Sequence, residues 1–285
     1  TIPTTPANTF TIPAGGTQTI SFHVAPSILS GGQWQFGRIS FETDDTFTNG
    51  KPISTAAFTL AVKSAVTGST LPSELRQTID SASGGYVFED QYFVSPITAL
   101  SNVRYGLTPA TVATFSLAQD PTNDNPYDEL SQIWYTKTTC PSSQQRMVVE
   151  VLDTTSADLD IFVGTGNQPH AALQKAYSAG AGPWEYLNIP QPSFSGSCWI
   201  LVQNWQSSAA GVQDSVKLAY GFVPKSGGSN YTVSGPASVP ALNPFDLTVD
   251  WNLSATYSST EVWYGWFSIG STATIKNDVG RLDFN

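Results

Sequence analysis

Residues 147–163 read Met147-Val148-Val149-Glu150-Val151-Leu152-Asp153-Thr154-Thr155-Ser156-Ala157-Asp158-Leu159-Asp160-Ile161-Phe162-Val163. Met147, Val149 and Val151 recur at every second position. After the polar break at 153–156 the same period returns in Leu159, Ile161 and Val163. Successive side chains of an extended chain point to opposite faces, so each set marks one buried face of a strand. Trp199 to Val202, and Leu218, Tyr220 and Phe222, continue the pattern downstream.

Working outward, Ile20, Phe22 and Val24 alternate with Thr19, Ser21 and His23. Ile39 and Phe41 follow the turn signal Ser30-Gly31-Gly32, and Phe58, Leu60 and Val62 repeat the alternation. Toward the other end Phe245, Leu247, Val249, Trp251 and Leu253 stay in phase, and Val262 to Ile269 carries apolar groups on both faces. Helical periodicity is absent over any window of helix length. The chain is therefore expected to be all-β, built of tandem β-sandwiches or jelly rolls.

Turn-rich joints at Thr67-Gly68-Ser69-Thr70-Leu71-Pro72 and Pro224-Lys225-Ser226-Gly227-Gly228-Ser229 divide it into expected units 1–66, 67–224 and 225–285. The first has too few strands to close a sandwich, which implies that the domain begins upstream of Thr1. The last is short for an independent domain and is expected to pack against the second.

The 285 residues are 40% hydrophobic and 12% charged, enough apolar material for several cores. Twelve Lys and Arg against 22 Asp and Glu leave a net charge of -10, which repels phosphate backbones and anionic lipid. Nucleic acid is thus not an expected partner. The densest apolar patch, Val262 to Phe267, falls far short of the roughly 18 residues that a spanning helix needs. The chain opens at Thr1 without Met, basic n-region or apolar h-region, and reads as a processed product or an excised piece.

Few Lys, one Met, many Ser and Thr and the acidic balance suit a secreted bacterial protein. Its two cysteines, Cys140 and Cys198, fit no zinc or Cys-x-x-Cys spacing. In an oxidising compartment they are expected to pair; two buried free thiols are the alternative.

Chemistry is sparse. Nucleophilic hydrolysis needs a Ser or Cys beside a base, and the histidines are His23, mid-strand, and His170, in a loop. No G-x-S-x-G, H-E-x-x-H or G-x-x-x-x-G-K-[ST] pattern occurs. Alternation puts Asp158 and Asp160 on the face opposite Leu159 and Ile161, with Cα atoms roughly 7 Å apart. A shared Ca²⁺ would account for them, with Asp153 or loop carbonyls supplying further oxygens; a solvated face is the plainer reading. Asp120, Asn123, Asp124, Asn125, Asp128 and Glu129 form a second oxygen-rich loop without EF-hand spacing, for which a polar turn is the plainer account.

Of the eight Trp, Trp263 shares a face with Phe267, while Trp266 shares the other with Tyr264. One of these faces must meet something besides its own core: a neighbouring domain first, a polysaccharide second. Trp205 is a further candidate binding aromatic.

Phe10-Thr11-Ile12-Pro13-Ala14-Gly15-Gly16-Thr17-Gln18-Thr19-Ile20, with Gly37-Arg38-Ile39-Ser40-Phe41 and Phe58 to Val62, resembles the latter half of the fibronectin type III-like domain of bacterial subtilisin-like serine proteases. Ala157-Asp158-Leu159-Asp160-Ile161-Phe162-Val163-Gly164, with Cys198-Trp199-Ile200-Leu201-Val202-Gln203-Asn204-Trp205, resembles the pre-peptidase C-terminal domain found in the tails of such proteases. Val233-Ser234-Gly235-Pro236 to Leu247, with Trp263-Tyr264-Gly265 and Phe267-Ser268-Ile269-Gly270, looks like the final β-module of the same tails.

The resemblance implies a non-catalytic accessory region of a secreted serine endopeptidase, partnered by the catalytic domain of its parent and by extracellular protein or polysaccharide. The motifs D-[ST]-G, H-G-T-H and G-T-S-[MA] of the catalytic domain are absent, so no catalytic residue is carried over. The alternative from another class is a free-standing adhesion or carbohydrate-binding module.

Overall fold

A computed structural model of the protein describes residues 4–5, 11–17, 19, 21–22, 34–42, 55–63, 71–93, 95–253 and 261–285. The described chain is all-β, with a single 3-10 turn, Ala171–Leu173, and no α-helix among the described residues. In the N-terminal part β1 (Thr4–Thr5) pairs with β2 (Ser21–Phe22), and β3 (Trp34–Glu42) pairs antiparallel with β4 (Thr55–Lys63). Ile39 and Phe41 fall in β3 and Phe58, Leu60 and Val62 in β4, as the alternation leads one to expect. Ile20, His23 and Val24 lie outside the described residues, as does most of the sandwich expected at 1–66.

The chain then lays down β5 (Glu74–Leu75), β6 (Ser83–Gln91) and β7 (Ser101–Pro109). Eight strands follow: β8 (Thr111–Ala118), β9 (Trp134–Cys140), β10 (Gln144–Thr154), β11 (Asp158–Thr165), β12 (Gln174–Ser178), β13 (Tyr186–Pro190), β14 (Gly196–Gln206) and β15 (Gln213–Pro224). Four more complete it: β16 (Tyr231–Ser234), β17 (Phe245–Asn252), β18 (Trp263–Gly270) and β19 (Gly280–Phe284).

Strands β8 to β15 form one sandwich, with sheets ordered β13-β10-β15-β8 and β12-β11-β14-β9. Its core holds Met147, Val149, Val151, Leu159, Ile161 and Val163, the residues whose alternation marks the two strands in the sequence. Cys140 and Cys198 are bonded within this sandwich, joining the edge strand β9 to β14 across a separation of 58 residues.

The expected division into 67–224 and 225–285 needs correction. Strands β5, β6 and β7 share no sheet with β8 to β15. β6 pairs with β17, β7 with β18, and β5 runs parallel to β19, giving sheets β16-β17-β6 and β5-β19-β18-β7. The second sandwich is therefore discontinuous: strands β5 to β7 and β16 to β19 build it together, and the first is inserted between β7 and β16. Their common core includes Phe88, Leu247, Val249, Phe267, Ile269 and Leu282. Local alternation reveals that a strand has a covered face but not which strand pairs with it, and here the partners are separated by the whole insertion. The two ends of the insertion meet where Thr108 Oγ1 donates to Phe222 O at 3.0 Å.

Sheets β13-β10-β15-β8 and β5-β19-β18-β7 also pack on each other. Val148, Ala219, Val223 and Tyr264 form a buried cluster between them, with Tyr105, Val112 and Trp266 at its margin. Gly221 permits the approach, since a Cβ there would stand 2.8 Å from Tyr264 Cδ2. Strand β10 thus lies between two layers, and Gln144 to Val151 is buried without a break. A strand covered on both faces loses simple alternation, which is the meaning of the adjacent pair Val148-Val149.

Candidate functional site

Among the described residues, polar or aromatic groups come together in the seam between the sandwiches, at the acidic end of β11, in the loop at 120–129 and in a cleft at one end of the second sandwich.

In the seam, Arg146, Val148 and Glu150 project from the face of β10 that meets β18 and β19. Arg146 is wholly buried. Its Nη2 donates to Tyr186 Oη at 2.6 Å, Nε to Asn188 Oδ1 at 2.8 Å, and Nη1 to Gly265 O at 3.2 Å and Phe284 O at 3.3 Å. Asp283 Oδ1 lies 3.8 Å away. Glu150 accepts from Arg76 Nη1 at 2.6 Å and from Tyr264 Oη at 2.7 Å. Burial, then the Glu150 charge, pushes the Tyr264 hydroxyl far up. Burial alone would lower the Arg76 guanidinium, but its hydrogen bond to Glu150 and the nearby carboxylates hold it above its ordinary value. Buried ions persist when paired and hydrogen-bonded, and what they contribute is one relative placement of the parts rather than net stability. Sequence reading anticipated that an aromatic face of β18 meets a neighbouring domain but missed the charged part of this seam. The available signal was the break in alternation at Val148-Val149, with Arg146 and Glu150 on one strand face.

At the acidic end of β11, Asp158 Oδ1 accepts from Gly182 N at 3.0 Å. Asp160 is nine-tenths buried, and no described donor reaches its carboxylate. Burial, the Asp158 charge and the Glu185 charge together push its pKa up to about 7. Glu185, unmarked in the sequence, is buried and accepts from Ser178 Oγ, and from Gly180 N at 3.0 Å. The alternation argument placed Asp158 and Asp160 together correctly, yet it missed Glu185, which a loop brings in. Asp153 does not join them: it is exposed on β10 of the other sheet, opposite Lys217. Among the described residues no three His, Cys, Asp or Glu are arranged to hold a metal.

The oxygen-rich loop uses its side chains within its own turns and to dock on β14. Asp120 accepts from Thr122 N at 3.1 Å and Gln203 Nε2 at 2.7 Å, Thr122 Oγ1 donates to Asp128 Oδ1, and Asn125 Oδ1 accepts from Tyr127 N. The contacts to Thr122 N and Tyr127 N are Asx-type turn contacts, and Gln203 ties the loop to β14. His170 is exposed, and its Nδ1 accepts from Ala172 N at 3.1 Å as the cap of the 3-10 turn.

The aromatic candidates separate. Tyr264 is fully buried in the seam, where Trp266 stacks on Tyr105 with centroids 5.5 Å apart. The face they share therefore meets the neighbouring sandwich. Trp205 is 39% exposed at the end of β14. Trp263 lines the cleft, a space of about 210 Å³ that Trp251 and Asn285 also border.

No helix of the described residues is long and apolar enough to cross a membrane. Compared with models of protein families and with curated proteins, the chain matches none.

Proposed function

We propose that the chain is a non-catalytic accessory region of a secreted bacterial subtilisin-like serine protease, aiding folding, stability, secretion or substrate engagement. The ordered sequence resemblances suggest the family. The observation that carries the accessory role is the Arg146–Glu150 seam, which fixes two sandwiches in one relative placement, as a spacer or docking platform requires. The partners on this reading are the parent's catalytic domain and extracellular protein. The test is twofold. Purified chain incubated with casein and with a fluorophosphonate probe is expected to give no turnover and no labelled Ser, and coding sequence upstream of Thr1 is expected to hold a subtilisin-like catalytic domain. Labelling at one Ser overturns the proposal.

We propose calcium as a structural ligand at Asp158 and Asp160, supported by the Asp160 carboxylate, which lies beside the charges of Asp158 and Glu185 and is reached by no described donor. The two carboxylates would supply part of the oxygen shell and backbone carbonyls the rest.

A second reading, an extracellular adhesion or carbohydrate-binding module, is favoured by the outward aromatics Trp184, Tyr177 and Trp205, which are 64%, 61% and 39% exposed. Retention on insoluble polysaccharide that is lost with Trp184→Ala or Trp205→Ala would select it.

A further inference from the structure

We propose that the free edge of β8 binds a second copy of this chain, β8 pairing antiparallel with β8 of its partner and so joining two β13-β10-β15-β8 sheets into one. This association is independent of the protease relationship proposed above.

β8 ends its sheet, with β15 on its paired side. The direction of its backbone groups follows from β15. Ser215 turns both its N–H and its C=O toward the β10 side, donating to Thr155 Oγ1 at 3.0 Å and accepting from Thr155 N at 3.1 Å. Ser116 lies opposite Ser215 in register, so the two form a non-hydrogen-bonded pair and the N–H and C=O of Ser116 point away from β15. The pairing runs from Thr111 to Ala118 without a register shift, so Val112 and Thr114 point the same way. Among the described residues, nothing bonds to the backbone of these three on that side. The side chains of Thr114 and Ser116 are exposed, while Phe115 and Leu117 pack on the core.

An open edge is a template for another strand, and edges that must stay single are blunted by charge, proline or shortness. β8 reads Thr111-Val112-Ala113-Thr114-Phe115-Ser116-Leu117-Ala118, with no charge, no proline and no bulge. The other described edges of the two sandwiches are all blunted. β9 carries Lys137, β12 Lys175, β13 Pro190, β6 Glu89 and β7 Arg104, and β16 and β5 are four and two residues long.

Charge selects the occupant. At a net charge of -10 two copies repel, and an uncharged edge is where that repulsion is least. Antiparallel pairing of β8 with itself sets Val, Thr and Ser against one another in any register, and Thr–Thr and Thr–Ser pairs favour the contact. The neighbouring edge cannot do the same. Ser197 O accepts from Gly166 N on the β11 side, so Thr139 opposite it, and with it Lys137 and Tyr135, face out from β9, and self-pairing there would centre on two lysines. Pairing is thus confined to one layer of the sandwich. One strand pair buries less than the roughly 1,200–2,000 Å² of a stable interface, so the dimer is weak, with Kd on the order of 0.1–1 mM.

The test is sedimentation equilibrium with ¹⁵N–¹H spectra of the full chain, over concentrations from about 20 μM to about 1 mM, spanning that Kd. Mass is expected to rise toward that of two chains, with the amide signals of Val112, Thr114 and Ser116 shifting in step. Thr114→Lys blunts the edge at an exposed side chain and should weaken association about fivefold, while Thr114→Val should preserve it. A wild-type chain that stays monomeric throughout overturns the proposal without relying on any variant's folding. So does association that Thr114→Lys leaves unchanged, or that shifts the signals of another surface instead. Protection of the Thr114 amide from hydrogen exchange in dilute, monomeric protein also overturns it, by placing a segment of this chain on the edge.

Discussion

The Tyr264 hydroxyl donates to Glu150 Oε1 at 2.7 Å, joining β18 of the discontinuous sandwich to β10 of the inserted one. Glu150 is buried, and its other carboxylate oxygen is held by Arg76. Arg76 also lies 4.4 Å over the Tyr186 ring, and Tyr186 in turn accepts from Arg146. The junction is thus one connected polar network rather than a set of separate contacts, and losing one member should be felt by the others.

Replacing Arg146 by Ala is expected to destabilise the protein by about 3–5 kcal/mol, because the groups it satisfies are left buried and unpaired. Tyr264→Phe removes one donor from Glu150 and should cost about 1–3 kcal/mol. Urea unfolding monitored by tryptophan fluorescence checks both. A double-mutant cycle between positions 146 and 150 should show coupling well outside the error of additivity.

Reducing the Cys140–Cys198 bond should lower the unfolding midpoint of the inserted sandwich. The closed loop spans 58 residues, for which chain entropy corresponds to about 4 kcal/mol. Calorimetry with and without a phosphine reductant measures this, and thiol titration of the native protein should find no free thiol.

Stability should fall as pH rises from about 4 to about 7. Asp160 titrates near 7 in the folded protein against about 3.9 unfolded, so within this window the folded state binds more protons. The favourable contribution is complete below the unfolded value and is lost as pH climbs through the folded one. Asp160→Asn should remove this dependence and raise the midpoint at pH 8 by several degrees; an unaltered pH profile would refute the assignment.

Calcium is expected to raise the unfolding free energy by about 2.7 kcal/mol at a hundredfold excess over Kd, and the midpoint with it, and EDTA to reverse both. The cation would also take the place of the proton on Asp160 and flatten the pH dependence just described. A calcium effect that survives Asp158→Asn combined with Asp160→Asn would place the ion elsewhere.

The identity and facing of the strands were legible in local sequence. Met147, Val149 and Val151 mark a covered face, and Phe245 to Leu253 hold their phase through β17, because side-chain alternation belongs to the extended chain itself. The pairing of Cys140 with Cys198 followed from their count and the inferred compartment, and the juxtaposition of Asp158 and Asp160 followed from the same period of two. Sheet partnership was not legible. Leu247 lies opposite Phe88, and Phe267 opposite Arg104, across an insertion whose length local patterns do not encode. Only the tertiary structure decided that residues 71–109 complete the C-terminal sandwich. It likewise decided that Arg146 and Glu150 are buried, that a loop brings Glu185 to Asp160, and that Trp251, Trp263 and Asn285 border one cleft. The physical reason is that strand periodicity arises from neighbours along the chain. Hydrogen-bonded pairing and the desolvation of charge arise from whatever distant backbone the finished packing places against them.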